Sequence, residues 1–334
     1  MKDKVLGTLY GLAIGDAFGM PSELWSRQKV KSFFGTIDKF LDGPESNEVA
    51  KNFTKGQFTD DTTQALLILD ALIENDFEPN EKIIAEKLIA WADETNAFDN
   101  NVLGPSSKAA LLAIKNDEDA SAITATAETN GAAMRIAPIG CLFSTDQPDN
   151  LIDYVYRVSK VTHASDVAIA GAAMIAGAVS AAMEDKTWDE IIAYVNVIHD
   201  KAIQFGADTF SPSLKKRLAL GIEYAKKYAD DEEAFSQHIY DVIGAGVLTS
   251  ESVPAALSIA YYAKTVEHCA KLCANLGGDT DTIGAMATEI CGAKQGASKI
   301  NPNYLQTIDE NNAVDLSMYA NEIMVWRTKR NRRS

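Results

Sequence analysis

Residues 5–19 read V-L-G-T-L-Y-G-L-A-I-G-D-A-F-G, and the spacing of the glycines in this stretch predicts how it packs. Glycine recurs at every fourth position, which places the glycines on one face of a predicted helix. The four positions are Gly7, Gly11, Gly15 and Gly19. Each glycine costs a helix roughly 1 kcal/mol relative to alanine. Four on one stripe therefore predict that a second backbone approaches this helix closely.

The helical period continues beyond this stretch, whereas the alternation typical of β-strands is scarce. Residues 30–40 form the single ambiguous stretch. Alanine is abundant in most of the helical stretches, which suits helices and tight packing. These patterns predict an all-α fold. The further predicted helices cover residues 63–75, 81–93, 102–115, 151–162, 166–183, 188–205, 213–228, 232–243, 253–264, 266–275, 282–296 and 316–327.

Composition predicts one compact domain with a large core. The chain has 334 residues, of which 46% are hydrophobic, and no linker rich in proline, glycine or serine divides it. We therefore predict a single domain over residues 1–327, followed by a frayed, solvated basic tail at 328–334. The net charge of −16 makes a face that grips nucleic-acid phosphates unfavourable, so no nucleic-acid partner is expected.

The cysteines and the apolar stretches bear on the compartment. The four cysteines have no metal-ligand spacing, and no secretory signal opens the chain, so they are predicted to be reduced core thiols. Residues 167–183 are weakly apolar, rich in alanine and glycine, and short for a membrane span. We predict a buried core helix there, no membrane partner, and a cytoplasmic protein.

Two acidic clusters stand far apart in the chain. The first is Thr59-Asp60-Asp61-Thr62, and the second is Asp279-Thr280-Asp281-Thr282. Each combines carboxylates with hydroxyls, the oxygen ligands that Mg²⁺ and Mn²⁺ prefer. Either cluster alone is more often a helix cap. A pair of buried clusters needs a positive partner, and no Lys or Arg stands beside either one, so together they favour a site for two metals.

Three further segments carry candidate functional residues, each with a structural alternative. Glu23 follows Pro21 at a predicted helix end and suits a general acid or base, although a surface glutamate is the more common case. Arg135, after an Asn-Gly pair, suits either a phosphate contact or pairing with a buried acid. His163 precedes an alanine-rich helix, where a lone histidine is usually a capping or packing residue.

Taken in order, these segments resemble the ADP-ribosylglycohydrolase family over about residues 6–296. The motifs are G-D-A-F-G-M-P-S-E at 15–23, F-T-D-D-T at 58–62, N-G-A-A-M-R-I-A-P at 130–138, T-H at 162–163 and G-G-D-T-D-T-I-G-A at 277–285. The two acidic motifs are highly specific in combination, whereas the T-H pair alone is weak. The resemblance implies an all-α fold of this family and two divalent cations, Mg²⁺ or Mn²⁺.

The resemblance also implies roles for individual residues. The expected metal ligands are Thr59, Asp60, Asp61, Asp279, Asp281 and Thr282. The expected catalytic residues are Glu23, Asp60 and Asp281, with Glu23 as the catalytic or water-positioning carboxylate. The expected substrate-binding residues are Asn130, Gly131, His163 and Gly104.

One segment departs from the family pattern. Residues 101–108 read N-V-L-G-P-S-S-K, where members that act on ADP-ribosyl proteins often carry a glycine-rich loop. The resemblance implies metal-dependent hydrolysis of a ribosyl glycosidic bond, by default on an ADP-ribosylated protein. Hydrolysis of a small ribosyl compound, such as a nucleoside or an ADP-ribose derivative, stays open as an alternative. So do a non-catalytic metal-binding protein and a two-metal phosphoester hydrolase.

Overall fold

Helix α1, Lys2–Gly19, is the central element of the fold, and it is buried on nearly every side. A computed structural model describes residues 1–100 and 102–331 of the chain. Within these ranges it contains 17 α-helices and no strand, which confirms the predicted all-α class. The helices after α1 are α2 Arg27–Phe34, α3 Asp60–Glu74, α4 Glu81–Glu94, α5 Pro105–Lys115, α6 Ser121–Ala125, α7 Ala137–Gly140, α8 Pro148–Ser159, α9 Asp166–Met183, α10 Trp188–Ala202, α11 Leu214–Lys227, α12 Glu232–His238, α13 Thr249–Ala263, α14 Val266–Ala274, α15 Thr280–Gln295, α16 Pro302–Asn311 and α17 Leu316–Asn331.

The glycine stripe of α1 lies directly against the backbone of α15. A Cβ atom on any of the four glycines would overlap backbone atoms of α15 or of the turn that follows it. At Gly15, for example, it would overlap the Gly284 carbonyl and the Thr288 hydroxyl. Thr288 Oγ1 donates to the carbonyl oxygen of Gly11, which fixes the register of the two helices. The predicted close approach of a second backbone is confirmed.

Helix α9 forms a second buried axis and packs against α10, α15 and α8. It is long and apolar enough to cross a membrane, yet 94% of its 18-residue window is buried inside the fold. Ser165 caps its start by accepting a hydrogen bond from the Ala168 amide. The prediction of a buried core helix in this stretch is confirmed.

Some elements differ from the sequence predictions. Part of the ambiguous stretch at 30–40 forms the end of α2, which Ser26 caps and which ends before Gly35 at a φ of 66°. Helices α6, α7 and α16 were not predicted, because they are short and interrupted or preceded by proline and polar residues. The predicted helix at 232–243 is α12 followed by a five-residue π-helical turn, Ile239–Ile243.

The C-terminal helix runs further than expected. Helix α17 continues to Asn331, so residues 328–331 are helical rather than frayed. The backbone carbonyl of Cys141 accepts from Arg327 Nη1, which ties the last turns of α17 to the core. The remainder of the predicted tail at 328–334, residues 332–334, lies outside the described residues.

Candidate metal centre and cleft

The two acidic clusters lie at the N-terminal ends of α3 and α15, where residues such as Thr59 and Asp279 usually act as caps. Both occupy the N-cap position of their helix, yet neither side chain bonds the helix's own amides. The Thr59 hydroxyl instead donates to Asp16 at 2.8 Å and lies 3.2 Å from Asp61 Oδ2. The helix-cap alternative therefore fails for both of these side chains.

Asp16 of α1 caps α3 in their place. It is fully buried, and its two oxygens accept the amides of Thr59 and Thr62 at 2.9 and 3.0 Å. The hydroxyls of the same two threonines donate to it at 2.8 and 2.6 Å. Asp16 was not among the expected site residues. Its signal was available, because it is the only charge in an otherwise uncharged stretch between Val5 and Gly19.

The fold brings the acids of both clusters together. Carboxylate oxygens of Asp16, Asp61 and Asp281 lie within 4.8 Å of one another, and so do those of Glu23, Asp279 and Asp281. Two buried oxygens, Asp61 Oδ1 and Asp281 Oδ1, have no hydrogen-bond partner in the described structure. An all-oxygen donor set with orphaned carboxylate oxygens fits a hard divalent cation.

Burial and mutual repulsion change the ionisation of this cluster. Burial, reinforced by Asp16, raises the pKa of Asp60 to about 8. Burial raises the pKa of Asp16 to about 6, although its four hydrogen bonds oppose the shift. Burial and the neighbouring carboxylates raise the pKa of Asp61, Asp281 and Glu23 well above their usual range. These carboxylates cannot all be charged at neutral pH unless a cation joins them.

A Gly-Gly turn positions the second cluster and ties it to Glu23. Gly277 and Gly278 have φ values of 86° and 85°, which residues with a Cβ rarely adopt. The Leu24 amide donates to the Gly278 carbonyl at 2.7 Å, and the Gly278 amide donates to the Trp25 carbonyl at 2.8 Å. This pairing holds Glu23 beside the start of α15.

The acids form the floor of a cleft of about 150 Å³. Asn130 fixes one wall, since its Nδ2 donates to Asp279 Oδ2 at 2.6 Å and to Ser252 Oγ at 3.1 Å. The structure brings most of the expected site residues to this cleft. Those that line it are Glu23, Asp60, Asp61, Gly104, Asn130, Gly131, Asp279, Asp281 and Thr282.

His163 does not line this cleft, contrary to expectation. It is fully buried behind Gly131, where an added Cβ would lie 2.8 Å from the His163 ring. Burial and the charge of Arg135 lower the pKa of His163 to about 3, so its ring is neutral. The structure therefore places His163 one layer behind the cleft wall, where it supports Gly131 and Thr129.

A polarised chain of hydrogen bonds runs from a buried guanidinium through this histidine. Arg135 Nη2 donates to Thr162 Oγ1 at 2.6 Å, so the Thr162 hydroxyl is free to donate to His163 Nδ1 at 2.8 Å. The ring proton then lies on Nε2 and is donated to Thr129 Oγ1 at 2.9 Å, at the cleft wall. All three hydrogen bonds can therefore donate in the same direction, from Arg135 towards Thr129.

Arg135 also lies close to the acidic cluster. Its Nη1 donates to Gln64 Oε1 at 2.7 Å, and Gln64 Nε2 donates to Asp60 Oδ2 at 2.9 Å. Burial lowers the pKa of Arg135 to about 10, and it remains charged at neutral pH. The sequence neighbourhood of the clusters contains no cation, but the fold brings this one near through Gln64. It makes no direct ion pair with a carboxylate among the described residues.

The fold and the cleft together define an all-α protein whose central helix pair gathers buried carboxylates at a cleft. The profile of the ADP-ribosylglycohydrolase family matches residues 1–332. The chain therefore belongs to the ADP-ribosylglycohydrolase family, whose members hydrolyse glycosyl bonds.

Individual relatives agree with this assignment. An uncharacterised protein of Escherichia coli, YegU, is 45% identical and covers 98% of each chain. The ADP-ribosylhydrolase ARH3 of Xenopus tropicalis is 25% identical and covers 89% of each. A solved structure described as an ADP-ribosylglycohydrolase-related protein complex superimposes with a TM-score of 0.71 at 22% identity, covering 98% of both chains. The last likeness shows the shared fold.

Proposed function

We propose that this chain is a metal-dependent glycohydrolase that cleaves a ribosyl glycosidic bond. The observation that supports this most directly is that Asp61 and Asp281, which belong to one all-oxygen cluster, each have a buried oxygen without a hydrogen-bond partner among the described residues. ARH3, a relative of the chain, is named as an ADP-ribosylhydrolase. The preferred substrate is an ADP-ribosylated protein, and the buried, unpaired cysteines are consistent with action in the cytoplasm.

Two divalent cations, Mg²⁺ or Mn²⁺, are the proposed cofactors. The residues proposed to hold them are Thr59, Asp60, Asp61, Asp279, Asp281 and Thr282. A bound divalent cation supplies charge that orients sugar hydroxyls and lowers the pKa of a water. Asp16 supports this ligand set from behind, since its oxygens are occupied by the backbone and hydroxyls of Thr59 and Thr62.

Glu23 is the residue proposed to move the proton. It lines the cleft, it is only partly buried, and one of its oxygens lies within 4.8 Å of oxygens of Asp279 and Asp281. Burial and the neighbouring carboxylates raise its pKa, which favours the protonated form that can donate a proton. Leu103, Met134 and Val247 provide apolar walls that exclude bulk water around the reacting sugar.

A small ribosyl compound is the second candidate substrate, and the size of the cleft favours it. Sites for drug-sized ligands are roughly 300–1,000 Å³. The cleft measures about 150 Å³, which suits a single sugar ring better than a whole ADP-ribose. Part of the segment that departs from the family pattern lines the same cleft, at Leu103, Gly104 and Pro105.

The experiment is a substrate panel tested with Mg²⁺ and with a chelator. We expect the protein to release ADP-ribose or ribose from ADP-ribosylated proteins, peptides or nucleosides only with the metal present. Glu23→Gln should lower the rate by roughly 100-fold or more and leave metal binding intact. Asp281→Asn should lower metal affinity and turnover together, because it removes a proposed ligand.

Each contrary result has a definite meaning. Full activity of the Glu23→Gln variant would show that Glu23 does not transfer the proton. Bound metal with no turnover on any panel member would identify a non-catalytic metal-binding relative. Release of phosphate without free ribose would identify a phosphoester hydrolase.

A further inference from the structure

Two segments of the cleft wall are joined by a hydrogen bond between two hydroxyl groups. Residues 103–105, at the start of α5, form one segment, and residues 129–131 form the other. Thr129 Oγ1 donates to Ser106 Oγ at 2.9 Å, across 23 positions of the chain. We call this contact the hydroxyl bridge. None of the roles proposed above uses it.

The hydroxyl bridge is held from behind by the polarised chain that begins at Arg135. Thr129 Oγ1 accepts from Nε2 of His163 at 2.9 Å, and the His163 ring is fully buried and neutral. Because Thr162 and Arg135 fix which ring nitrogen carries the proton, His163 always offers a donor to Thr129. If the Thr129 hydroxyl turned away, this buried N–H group would lose its partner, which is costly. The orientation of the Thr129 hydroxyl is therefore fixed.

The two wall segments are also packed together at this edge of the cleft. A Cβ atom added at Gly131 would lie 3.1 Å from Ser107 Oγ and 2.8 Å from the His163 ring. Ser107 lines the cleft and is only 2% exposed. Among the described residues, the hydroxyl bridge is the single hydrogen bond between segments 102–108 and 128–131. It therefore fixes how closely the two segments approach.

The start of α5 has few other contacts. Gly104 and Pro105 are exposed, and a Cβ atom added at Gly104 would meet no atom within 4 Å. No side chain caps this end of the helix. The Lys108 amide donates to the Gly104 carbonyl at 2.9 Å, which closes the first turn. A segment with so few buried contacts opens at low cost, so the hydroxyl bridge matters for its position.

We propose that the hydroxyl bridge between Thr129 and Ser106 selects ligands by size, because it holds the start of α5 in place and keeps the cleft narrow. This inference rests on the proposed glycohydrolase function and assigns the residues that discriminate between its two candidate substrates. Thr129 and Ser106 are the specificity-determining residues, and His163 and Arg135 are positioning residues that act through them. The volume of about 150 Å³, which favours a single sugar ring, describes the cleft with the bridge formed.

The binding test uses Thr129→Val, which removes the hydroxyl group with little change of volume. The probes are ribose, a single ring, and ADP-ribose, which is longer, and both are titrated into the magnesium-loaded protein by calorimetry. We expect the ratio of the Kd of ADP-ribose to that of ribose to fall about five-fold, because one neutral hydrogen bond no longer holds the wall. Thr129→Ser keeps a hydroxyl group and should keep the wild-type ratio.

Ser106→Ala breaks the hydroxyl bridge from its half-buried side and tests the proposal even if Thr129→Val fails to fold. It should lower the ratio equally, and the double variant should do no more, because all three lack the same bond. Thr126→Val is the matched control, since Thr126 is exposed and its hydroxyl bonds the carbonyl groups of Ala122 and Ile123. Additive effects, a ratio that neither wall variant changes, or an equal change in the control would overturn the proposal.

Hydrogen exchange separates this proposal from the proposed activity. We expect the Lys108 amide, which reports on the first turn of α5, to exchange about five-fold faster in both wall variants and at the wild-type rate in Thr126→Val. Faster exchange without turnover of any glycoside would support the bridge and reject the enzyme. Turnover with unchanged exchange and an unchanged Kd ratio would retain the enzyme and reject the bridge. Failure of both probes to bind the wild-type protein would reject selection by size.

Discussion

At the scale of single residues, Asp16 and Asp60 predict how stability depends on pH. In the folded protein burial raises the pKa of Asp60 from 3.8 to about 8 and that of Asp16 from 3.8 to about 6. Between pH 3.8 and these raised pKa values, the folded state holds protons that the unfolded chain has released. The stabilisation is therefore complete below about pH 4 and is lost as the pH rises through 6 and 8.

We expect the melting temperature of the metal-free protein to fall between pH 5 and 8.5, by roughly 1–2 °C for each kcal/mol lost. Scanning calorimetry in the presence of a chelator measures it. Asp60→Asn, which removes the larger of the two shifts, should flatten the curve. Identical curves for wild type and variant would show that Asp60 ionises as it does in the unfolded chain.

The sequence predicts which residues belong to the site better than it predicts which residues they contact. The acids of both clusters were identified because two carboxylates and two hydroxyls stand within four positions. Asp16 was missed because its importance comes from contacts with Thr59 and Thr62, which are distant in sequence. His163 was placed at the cleft because one sequence cannot distinguish a residue that lines a wall from one directly behind it. Its position behind the wall depends on the absence of a side chain at Gly131, where an added Cβ would lie 2.8 Å from the His163 ring.

At the scale of elements, the contact between α1 and α15 has no room for a side chain at Gly15. A Cβ there would overlap the backbone of Gly284 and the hydroxyl of Thr288. We expect Gly15→Ala to lower the free energy of unfolding by about 3 kcal/mol, since well-packed backbones cannot move apart cheaply. Because Asp16 is the next residue, metal affinity should fall as well. Denaturant unfolding and metal titration measure the two effects.

Gly104→Ala is the control for that prediction. An added Cβ at Gly104 meets no atom within 4 Å, and its φ is −57°, which alanine adopts freely. We expect a change of less than about 1 kcal/mol. Equal losses from both variants would mean that the cost arises from replacing glycine in general and not from the helix contact.

Helices were predicted well where the apolar period is long and poorly where it is short. The predicted bounds of the helix at 166–183 coincide with those of α9, because the stretch is uniformly apolar and Ser165 caps it. Helix α3 begins at Asp60, three residues before the predicted start, because Asp16 from another helix caps it. When a residue that is distant in sequence caps a helix, the residues next to that helix give no capping signal. The π-helical turn after α12, Ile239–Ile243, was not predicted either.

At the scale of the whole molecule, a bound cation should act as a stabiliser. A ligand that binds only the folded state adds about 2.7 kcal/mol at one hundred times its dissociation constant. We expect Mg²⁺ to raise the melting temperature of the wild-type protein and to have little effect on Asp281→Asn. Thermal denaturation across a magnesium titration is the measurement.

Ionic strength has to be matched in that experiment. The chain carries a net charge of −16, so any salt relieves some self-repulsion. NaCl at equal ionic strength provides the reference. A shift of equal size with NaCl, or in the Asp281→Asn variant, would show general screening and no specific site.

The backbone contact between α1 and α15 also has a consequence for biosynthesis. Helix α1 is apolar on nearly every side, and its glycine groove stays uncovered until α15, which follows much later in the chain, has been translated. Such late-paired surfaces bind chaperones or aggregate while they wait. Messages truncated before α15 should therefore yield insoluble fragments, and slow codons placed just ahead of it should lower the soluble yield of the full-length product.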